Sequence, residues 1–180
     1  MSRSPAGILL AIRKTGVAHA IPVTTSLRKY SMHTIIMTDW QTHSRQLSAI
    51  RVKVFVEEQQ VPVEEEWDGM DEAAIHFLVQ DKNEAIGCAR LLIDELNHQK
   101  HFHIGRVAVL KPFRALGIGR QLMEFILNYC STAAPYPVYL HAQIERRAFY
   151  ERLGFIARGD EFMDAGIPHI TMYWQARTSN

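Results

Sequence analysis

The sequence predicts a single domain of the α/β class, and two features of the chain support this prediction. Apolar runs of strand length alternate with segments in which apolar residues recur every three or four positions, which is the spacing of an amphipathic helix. The stretch over residues 32–180 contains no internal repeat and no linker-like segment. A chain of this length can bury one hydrophobic core without disulfides or metals. We therefore expect one α/β domain over residues 32–180.

Several segments have the composition of β-strands, and most of them precede the longest predicted helix. A turn at residues 81–83 is expected to join the second and third strands, and a polar loop is expected at residues 97–101. In chain order the expected strands cover residues 33–37, 74–80, 85–93, 104–110, 138–140 and 167–174.

Three segments are predicted to be helical. The first covers residues 44–58, where apolar side chains recur at helical spacing. The second begins after Gly117 and runs for about three to four turns. The third covers residues 145–153 and ends at Gly154, because glycine commonly terminates helices.

Charge and cysteine content exclude several classes of protein. The 20 basic residues nearly cancel the 19 acidic ones, so no overall field attracts nucleic acid or an anionic membrane. The two cysteines, Cys88 and Cys130, have no paired spacing, which argues against a disulfide scaffold or a CxxC zinc site. We therefore expect a cytoplasmic protein that binds neither nucleic acid nor membrane.

Residues 1–31 are expected to lie outside the domain. No acidic residue occurs before Asp39, and the basic residues of this stretch resemble a transit-like segment. The apolar stretch of residues 8–12 is too short for a membrane span or a secretory core. We expect a disordered extension or the product of a start codon read too far upstream, with Met32 as the true start.

The segment over residues 106–120 has the features of a phosphate-binding site. It reads RVAVLKPFRALGIGR, a strand and a loop followed by a helix that begins near Gly117 and Gly119. Glycines allow close approach of a ligand to the backbone, and the free N–H groups and dipole of a helix start favour an anion. Arg114 and Arg120 add positive charge. We therefore predict a pyrophosphate cradle.

Two other phosphate motifs can be excluded at this segment. A Walker loop needs a Gly-Lys pair, which does not follow Gly117, and a dinucleotide fingerprint needs a third glycine where Leu122 stands. Taken alone, the Arg-x-x-Gly-x-Gly pattern is weak, because a helix start with incidental glycines explains it equally well. The assignment therefore depends on a second segment.

That second segment is AFYERLGF at residues 148–155. With the glycine loop, it resembles the GNAT superfamily of N-acetyltransferases, whose cofactor loop reads V-x-P-x-x-R-G-x-G-I-G and whose later helix ends in F-Y-x-x-x-G-F. The resemblance covers about residues 33–175 and is closest to the ElaA-like branch. Further segments that carry it lie at residues 54–62, 68–71, 141–143 and 166–169, together with His76.

The chain departs from the family pattern at three positions. Ala115 replaces the usual glycine after the arginine, Pro112 is shifted by one place, and Gln143 stands where many members have asparagine. The alanine costs little unless its position needs a positive φ.

The resemblance implies a GNAT-type fold, with a mixed, mostly antiparallel sheet that is flanked by helices and splayed between strands 4 and 5. Acetyl-CoA would lie in the gap, its pantetheine arm paired with strand 4 and its pyrophosphate on the amides of the loop. A possible homodimer is also implied. The expected cofactor-binding residues are Val107, Ala108, Val109, Arg114, Ala115, Leu116, Gly117, Ile118, Gly119, Arg120 and Gln143.

The implied reaction moves the acetyl group directly to a primary amine of a small molecule or peptide within a ternary complex. Tyr150 matches the family's general acid, and the N–H of Val109 would polarise the thioester carbonyl. The amine must be neutral to attack, and either His141 or Glu58, directly or through water, is the expected base. Each of these side chains also has a purely structural explanation.

Several alternatives stay open. A metal site could be built from His101, His103, His141 or His169, although we expect none. The acidic stretch over residues 57–72 is either a solvated loop or an anionic rim that attracts a cationic acceptor. The chain could also be a regulatory module that holds acyl-CoA without turnover, in which case no acid would be needed at Tyr150.

Overall fold

The computed structural model describes residues 33–175, so the expected N-terminal extension lies outside the described residues. The described strands form one eight-stranded sheet. In chain order they are β1 (His33–Thr38), β2 (Ile75–Asp81), β3 (Glu84–Leu96), β4 (Gln99–Val109), β5 (Val138–Gln143), β6 (Phe155–Ala157), β7 (Phe162–Asp164) and β8 (Ile167–Trp174).

The order of the strands is β1-β2-β3-β4-β5-β8-β6, and β7 also pairs with β8. The β4–β5 pair is parallel, and the other pairs of the described sheet are antiparallel. The mixed, mostly antiparallel sheet expected from the sequence is therefore confirmed.

The sheet opens between β4 and β5. These strands pair only where Phe102–Ile104 lies beside Val138–Leu140, although β4 continues to Val109 and β5 to Gln143. Beyond Ile104 the two strands diverge, and one edge of β4 is left without a strand partner. The expected splay is confirmed, and it places a cleft at the centre of the sheet.

Four α-helices lie among the described residues: α1 (Trp40–Arg51), α2 (Val63–Glu66), α3 (Ile118–Ala133) and α4 (Arg147–Glu151). The α1 helix begins at Asp39, whose side chain accepts the N–H of Thr42 at 2.7 Å and so satisfies one free donor of the first turn. A π-helix over Val52–Glu58 continues α1 and ends beside the cleft.

Two cores hold the sheet from opposite faces. On one face, Leu122, Met123 and Ile126 of α3 are fully buried against the central strands. On the other face, Leu47 and Ile50 of α1 pack with a smaller apolar cluster. Because both faces of the central strands are covered, the walls of the cleft are carried by the most firmly packed part of the fold.

The structure corrects the expected polar loop at residues 97–101. The β3–β4 hairpin turns at Asn97 and His98, both of which have positive φ, and Gln99–His101 belong to β4. Residues 99 and 100 are exposed at the end of the ladder, so their polar composition resembles that of a loop. This correction matters because it sets the register of the hairpin.

The third predicted helix is shorter than expected, and two strands were missed. Only residues 147–151 are α-helical, after a 3₁₀ turn at Ile144–Arg146. The strands β6 and β7 have three residues each, which is too short for an alternating pattern to be visible in the sequence.

Within residues 33–175, no helix combines the length and the apolar character needed to cross a membrane. Both Cys88 and Cys130 are buried free thiols, and burial raises the pKa of each thiol to about 12.

Candidate active site

The gap between the diverging strands is a cleft of about 1040 Å³. It is lined by the free edge of β4, the loop and first turn of α3, the end of β5 and the helix α4. All the site residues expected from the sequence line this cleft except Leu116 and Glu58. The tertiary structure thus brings together segments that lie far apart in the chain.

The main chain of β4 faces the cleft at alternate residues. The N–H of Leu110 donates to Ile86 O on β3 at 2.9 Å. Because main-chain groups alternate sides along a strand, the N–H and C=O groups of Val109 and Val107 point to the opposite edge, where β5 has diverged. An extended ligand could therefore be added to the sheet as a further strand.

A β-bulge interrupts β4 just before this edge. The pairing steps from Gly105 to Ala108 on β4 while β3 steps only from Arg90 to Cys88, so β4 contains one extra residue. Arg106 lies in the bulge with a φ of 52°. Bulges bend and twist a strand, and this one lies where β4 parts from β5.

The loop that enters α3 presents a row of free amides. Among the described residues, no backbone N–H of residues 115–120 has a hydrogen-bond partner in the main chain, and the α3 N-terminus has no side-chain cap. Gly117 precedes the helix with a φ of 81°. The free amides and the dipole of a 16-residue helix favour an anion at this point.

Ala115 departs from the sequence-based expectation. It has a φ of 62°, so the condition under which the alanine was expected to be harmless is not met. An L-residue in the left-handed region costs roughly 1–2 kcal/mol. The loop therefore carries local strain next to Gly117.

The packing of the protein does not require a glycine at position 119. A Cβ built there would lie 3.7 Å from the Phe149 ring and 3.8 Å from Val109, which are ordinary contact distances. The backbone also has no positive φ at this residue. What glycine adds here is access, because Gly119 lines the cleft and has no side chain of its own to cover its amide.

The side chain of Arg114 is bonded to the protein itself. Its Nε donates to the carbonyl of Val109 at 2.8 Å, and its two terminal nitrogens donate to the carboxylate of Glu58. The hydrogen bond from Arg114 lowers the pKa of Glu58, which makes this carboxylate a weaker proton acceptor. Arg120 is exposed and pairs with Glu124 at 2.7 Å.

Tyr150 lies on α4 at the edge of the cleft. Its ring meets those of Phe149 and Phe155 at centroid distances of 5.0 and 5.8 Å. Burial raises the pKa of Tyr150 to about 12, so the phenol keeps its proton at neutral pH. At the end of β5, just before the turn into α4, Gln143 donates to the side-chain oxygen of Gln59 at 2.8 Å.

His141 lies at the far side of the cleft on β5. Its Nδ1 lies 3.1 Å from the hydroxyl of Thr171, and its ring meets Phe162 edge-on at 5.0 Å. Burial is the main cause of a lowered pKa at His141, with a contribution from the neighbouring His103. Both effects favour the neutral imidazole.

A carboxylate–histidine pair in the cleft was missed by the sequence analysis. His103 Nδ1 lies 2.9 Å from Asp94 Oδ2, and the hydroxyl of Tyr139 donates to the same oxygen at 2.6 Å. The sequence analysis considered His103 only as a metal ligand. In the β3–β4 hairpin, Asp94 is paired with His101, which lies two residues from His103. The contact between Asp94 and His103 depends on this register, so it could have been found only after the turn was assigned to Asn97 and His98.

The histidines of this face do not form a metal cluster. Within the part of the chain that the structure describes, no group of three His, Cys, Asp or Glu side chains could hold a metal ion. His103 instead stacks on Tyr139 with centroids 4.4 Å apart and lies 5.1 Å from His141.

The acidic stretch over residues 57–72 contributes to a buried ionic network. Glu66 and Asp71 both bond the buried guanidinium of Arg51, and Asp68 pairs with Arg90. The hydrogen bond from Arg90 holds the pKa of Asp68 far below its usual range. These carboxylates neutralise arginines in the wall of the cleft and are not free charges on its rim.

Comparisons with known proteins agree with this fold. A family model described as an acetyltransferase (GNAT) domain matches residues 41–176. The uncharacterized N-acetyltransferase YjcF of Bacillus subtilis is 32% identical over 124 residues, which is 68% of this chain and 86% of YjcF. The chain therefore belongs to the GNAT family of acetyltransferases.

Two solved structures resemble it over most of its length. ElaA of Escherichia coli is 31% identical with a TM-score of 0.72, covering 80% of this chain and 100% of ElaA. An acyl-CoA N-acyltransferase from Pseudomonas aeruginosa is 32% identical with a TM-score of 0.70, covering 78% of this chain and 98% of that one. The resemblance to the ElaA-like branch is thereby confirmed.

Proposed function

We propose that this chain transfers the acetyl group of acetyl-CoA directly to a primary amine within a ternary complex. The observation that carries the proposal is a cleft that joins two main-chain features, the edge of β4 that β5 leaves unpaired and the free amides of residues 115–120. The unpaired strand edge suits a ligand with an extended amide arm, and the adjacent anion site suits a pyrophosphate on the same ligand. The Pseudomonas aeruginosa relative is named as an acyl-CoA N-acyltransferase, which supports the same donor.

Each part of the donor has a proposed partner. The pantetheine arm lies along β4 at Val107 and Val109 and pairs with the main chain of Val107, and Gln143 bonds it from the opposite wall. The carbonyl of Val109 accepts from Arg114, which leaves the N–H of Val109 for the thioester. The pyrophosphate accepts hydrogen bonds from the amides of residues 115–120 at the start of α3. The thioester then lies near Tyr150, between the two halves of the cleft.

The proposed chemistry is acyl transfer without a covalent enzyme intermediate. The neutral amine attacks the thioester carbon, and the N–H of Val109 stabilises the oxyanion. The C–S bond breaks as the carbonyl re-forms, and Tyr150 gives its proton to the departing sulfur. The new amide nitrogen loses one proton to a base, and the Tyr150 phenol is reprotonated from solvent.

The distribution of charge in the cleft favours a cationic acceptor. Arg146 and Arg152 flank α4, and Glu65, Glu95 and Asp164 also line the cleft. Carboxylates in the lining raise the local concentration of ammonium groups. An alkylamine or the free N-terminus of a peptide fits such a lining.

The reaction is proposed to take place in the cytoplasm, since two buried free thiols fit a reducing compartment. A homodimer stays a prediction.

Calorimetry with CoA and an acceptor screen test the proposal together. The screen uses acetyl-CoA with 1,4-diaminobutane, 2-phenylethylamine, glucosamine and a short peptide with a free N-terminus, and it follows release of free thiol. We expect CoA to bind and at least one amine to be acetylated. A folded chain that takes up no CoA contradicts the assignment of the cleft. CoA binding without acetylation of any of these amines instead supports the regulatory module.

A further inference from the structure

We infer that His103, held by Asp94, is the general base that takes the proton of the acceptor amine. The inference rests on the proposed function, and it assigns the base to a residue other than His141 and Glu58. Three observations support it: the carboxylate–histidine contact, the open space over Gly105, and the surroundings of the two other candidates.

The contact with Asp94 determines which nitrogen of the neutral His103 ring carries the proton. An ionised carboxylate only accepts hydrogen bonds, so the Nδ1 that lies 2.9 Å from Asp94 Oδ2 carries the ring proton. In the neutral ring, Nε2 is then the basic nitrogen. The hydroxyl of Tyr139 bonds the same carboxylate oxygen, and the ring of Tyr139 stacks on His103, so both partners are held in place.

Gly105 leaves open space next to His103 in the lining of the cleft. It lies two residues beyond His103 and faces the same side of the sheet. A Cβ built there meets no atom within 4 Å, and the backbone has no positive φ that would require glycine. The open space over Gly105 leaves room beside His103 for the amine or for a water that relays its proton.

The other candidates have weaker support. The carboxylate of Glu58 is engaged by two nitrogens of Arg114, and it does not line the cleft. His141 does line the cleft, but its Nδ1 faces the hydroxyl of Thr171, and no carboxylate is bonded to it within the described residues. His103 is the histidine of this face that combines a bonded carboxylate with access to the cleft.

The charged and titratable groups around His103 lie on the flanking strands β3 and β5 and on its own strand, β4. Asp94 on β3 raises its pKa, while burial, which is the largest effect, and the more distant Arg90 and Arg106 lower it. Tyr139 and His141 on β5 complete the surroundings. The net direction is downward, so the imidazole is unprotonated and can accept a proton at neutral pH.

The first test compares His103→Gln with the wild-type chain over a range of pH. The substrate is whichever of the four amines reacts fastest with the wild-type chain, at saturating acetyl-CoA. We expect kcat to fall about a hundredfold near neutral pH, because a positioned base contributes at least that much. The deficit should shrink as the pH approaches the pKa of the amine, while the affinity for CoA in calorimetry stays at the wild-type value.

Two further variants separate a base from a structural residue. Asp94→Asn removes the group that raises the pKa of His103, so the acidic limb of the kcat profile should move to lower pH. His98→Asn removes an imidazole from the exposed β3–β4 turn and serves as the matched control with unchanged kcat.

The outcomes distinguish this inference from the proposed function. If the wild-type chain binds CoA but acetylates none of the amines, the proposed function and the base assignment both fail. If the wild-type chain is active and His103→Gln has the wild-type kcat and the same acidic limb in its pH profile, the base assignment alone is overturned. Loss of the acidic limb in His141→Gln but not in His103→Gln would likewise overturn it in favour of His141.

Discussion

The carboxylate of Glu58 and the guanidinium of Arg114 form a bidentate ion pair that joins the end of the π-helix to the loop before α3. The same guanidinium bonds the carbonyl of Val109, so one side chain connects the π-helix, the edge of β4 and the loop before α3. Arg114 was expected to add charge to the loop. The geometry adds a second role for it, which is to hold the loop in place.

Glu58→Gln is expected to weaken CoA binding modestly. The pair is partly exposed, and such pairs contribute about 1 kcal/mol or less, which corresponds to a Kd about two- to fivefold higher in calorimetry. Glu57→Gln, which removes an exposed neighbouring carboxylate, is the matched control with unchanged affinity. A hundredfold loss of kcat in Glu58→Gln would identify Glu58 as the base and contradict our assignment.

Gly119→Ala is expected to weaken CoA binding by about tenfold or more while leaving stability nearly unchanged. The new methyl group meets the protein only at ordinary contact distances, but it lies beside an amide in the lining of the cleft. Calorimetry and thermal unfolding measure the two effects separately. Gly117→Ala should lose stability as well, because its φ is 81°. A wild-type affinity for CoA in Gly119→Ala would show that this amide does not bind the pyrophosphate.

Ala115→Gly is expected to stabilise the protein. Glycine relieves the cost of a φ of 62°, and its greater freedom in the unfolded chain offsets part of this gain, which leaves about 1 kcal/mol or less. Urea unfolding measures the difference. Ala49→Gly, at an exposed position within α1, is the control with the opposite sign, because glycine in a helix costs roughly 1 kcal/mol relative to alanine. Destabilisation by Ala115→Gly would contradict strain at this residue.

Tyr150→Phe is expected to lower kcat about a hundredfold with little change in CoA affinity, because it removes only the hydroxyl that we propose as the proton donor to sulfur. With a pKa of about 12, the wild-type phenol is protonated throughout the neutral range and should cause no basic limb there. Tyr136→Phe, whose ring packs on Phe102 away from the cleft, is the control. An unchanged kcat would exclude Tyr150 from the mechanism.

Much of the fold and of the glycine loop before α3 was predictable from local patterns. The last strand was placed at its observed bounds, and the helix after Gly117 was placed correctly, because long runs with clear periodicity depend mostly on neighbouring residues. The polar end of the β3–β4 hairpin and the three-residue strands carry no such periodicity. Those elements are defined by pairing with β3 and β8, which local patterns do not record.

The sequence by itself determined the α/β class, the glycine loop at the start of α3 and the aromatic pair on α4, because each is encoded within a few consecutive residues. Only the tertiary structure decided the partners of the polar side chains. Asp94 reaches His103 through the register of a hairpin, and Glu58 reaches Arg114 across 56 positions of the chain. Contacts of this kind depend on how strands and helices pack, and packing is a property of the whole chain.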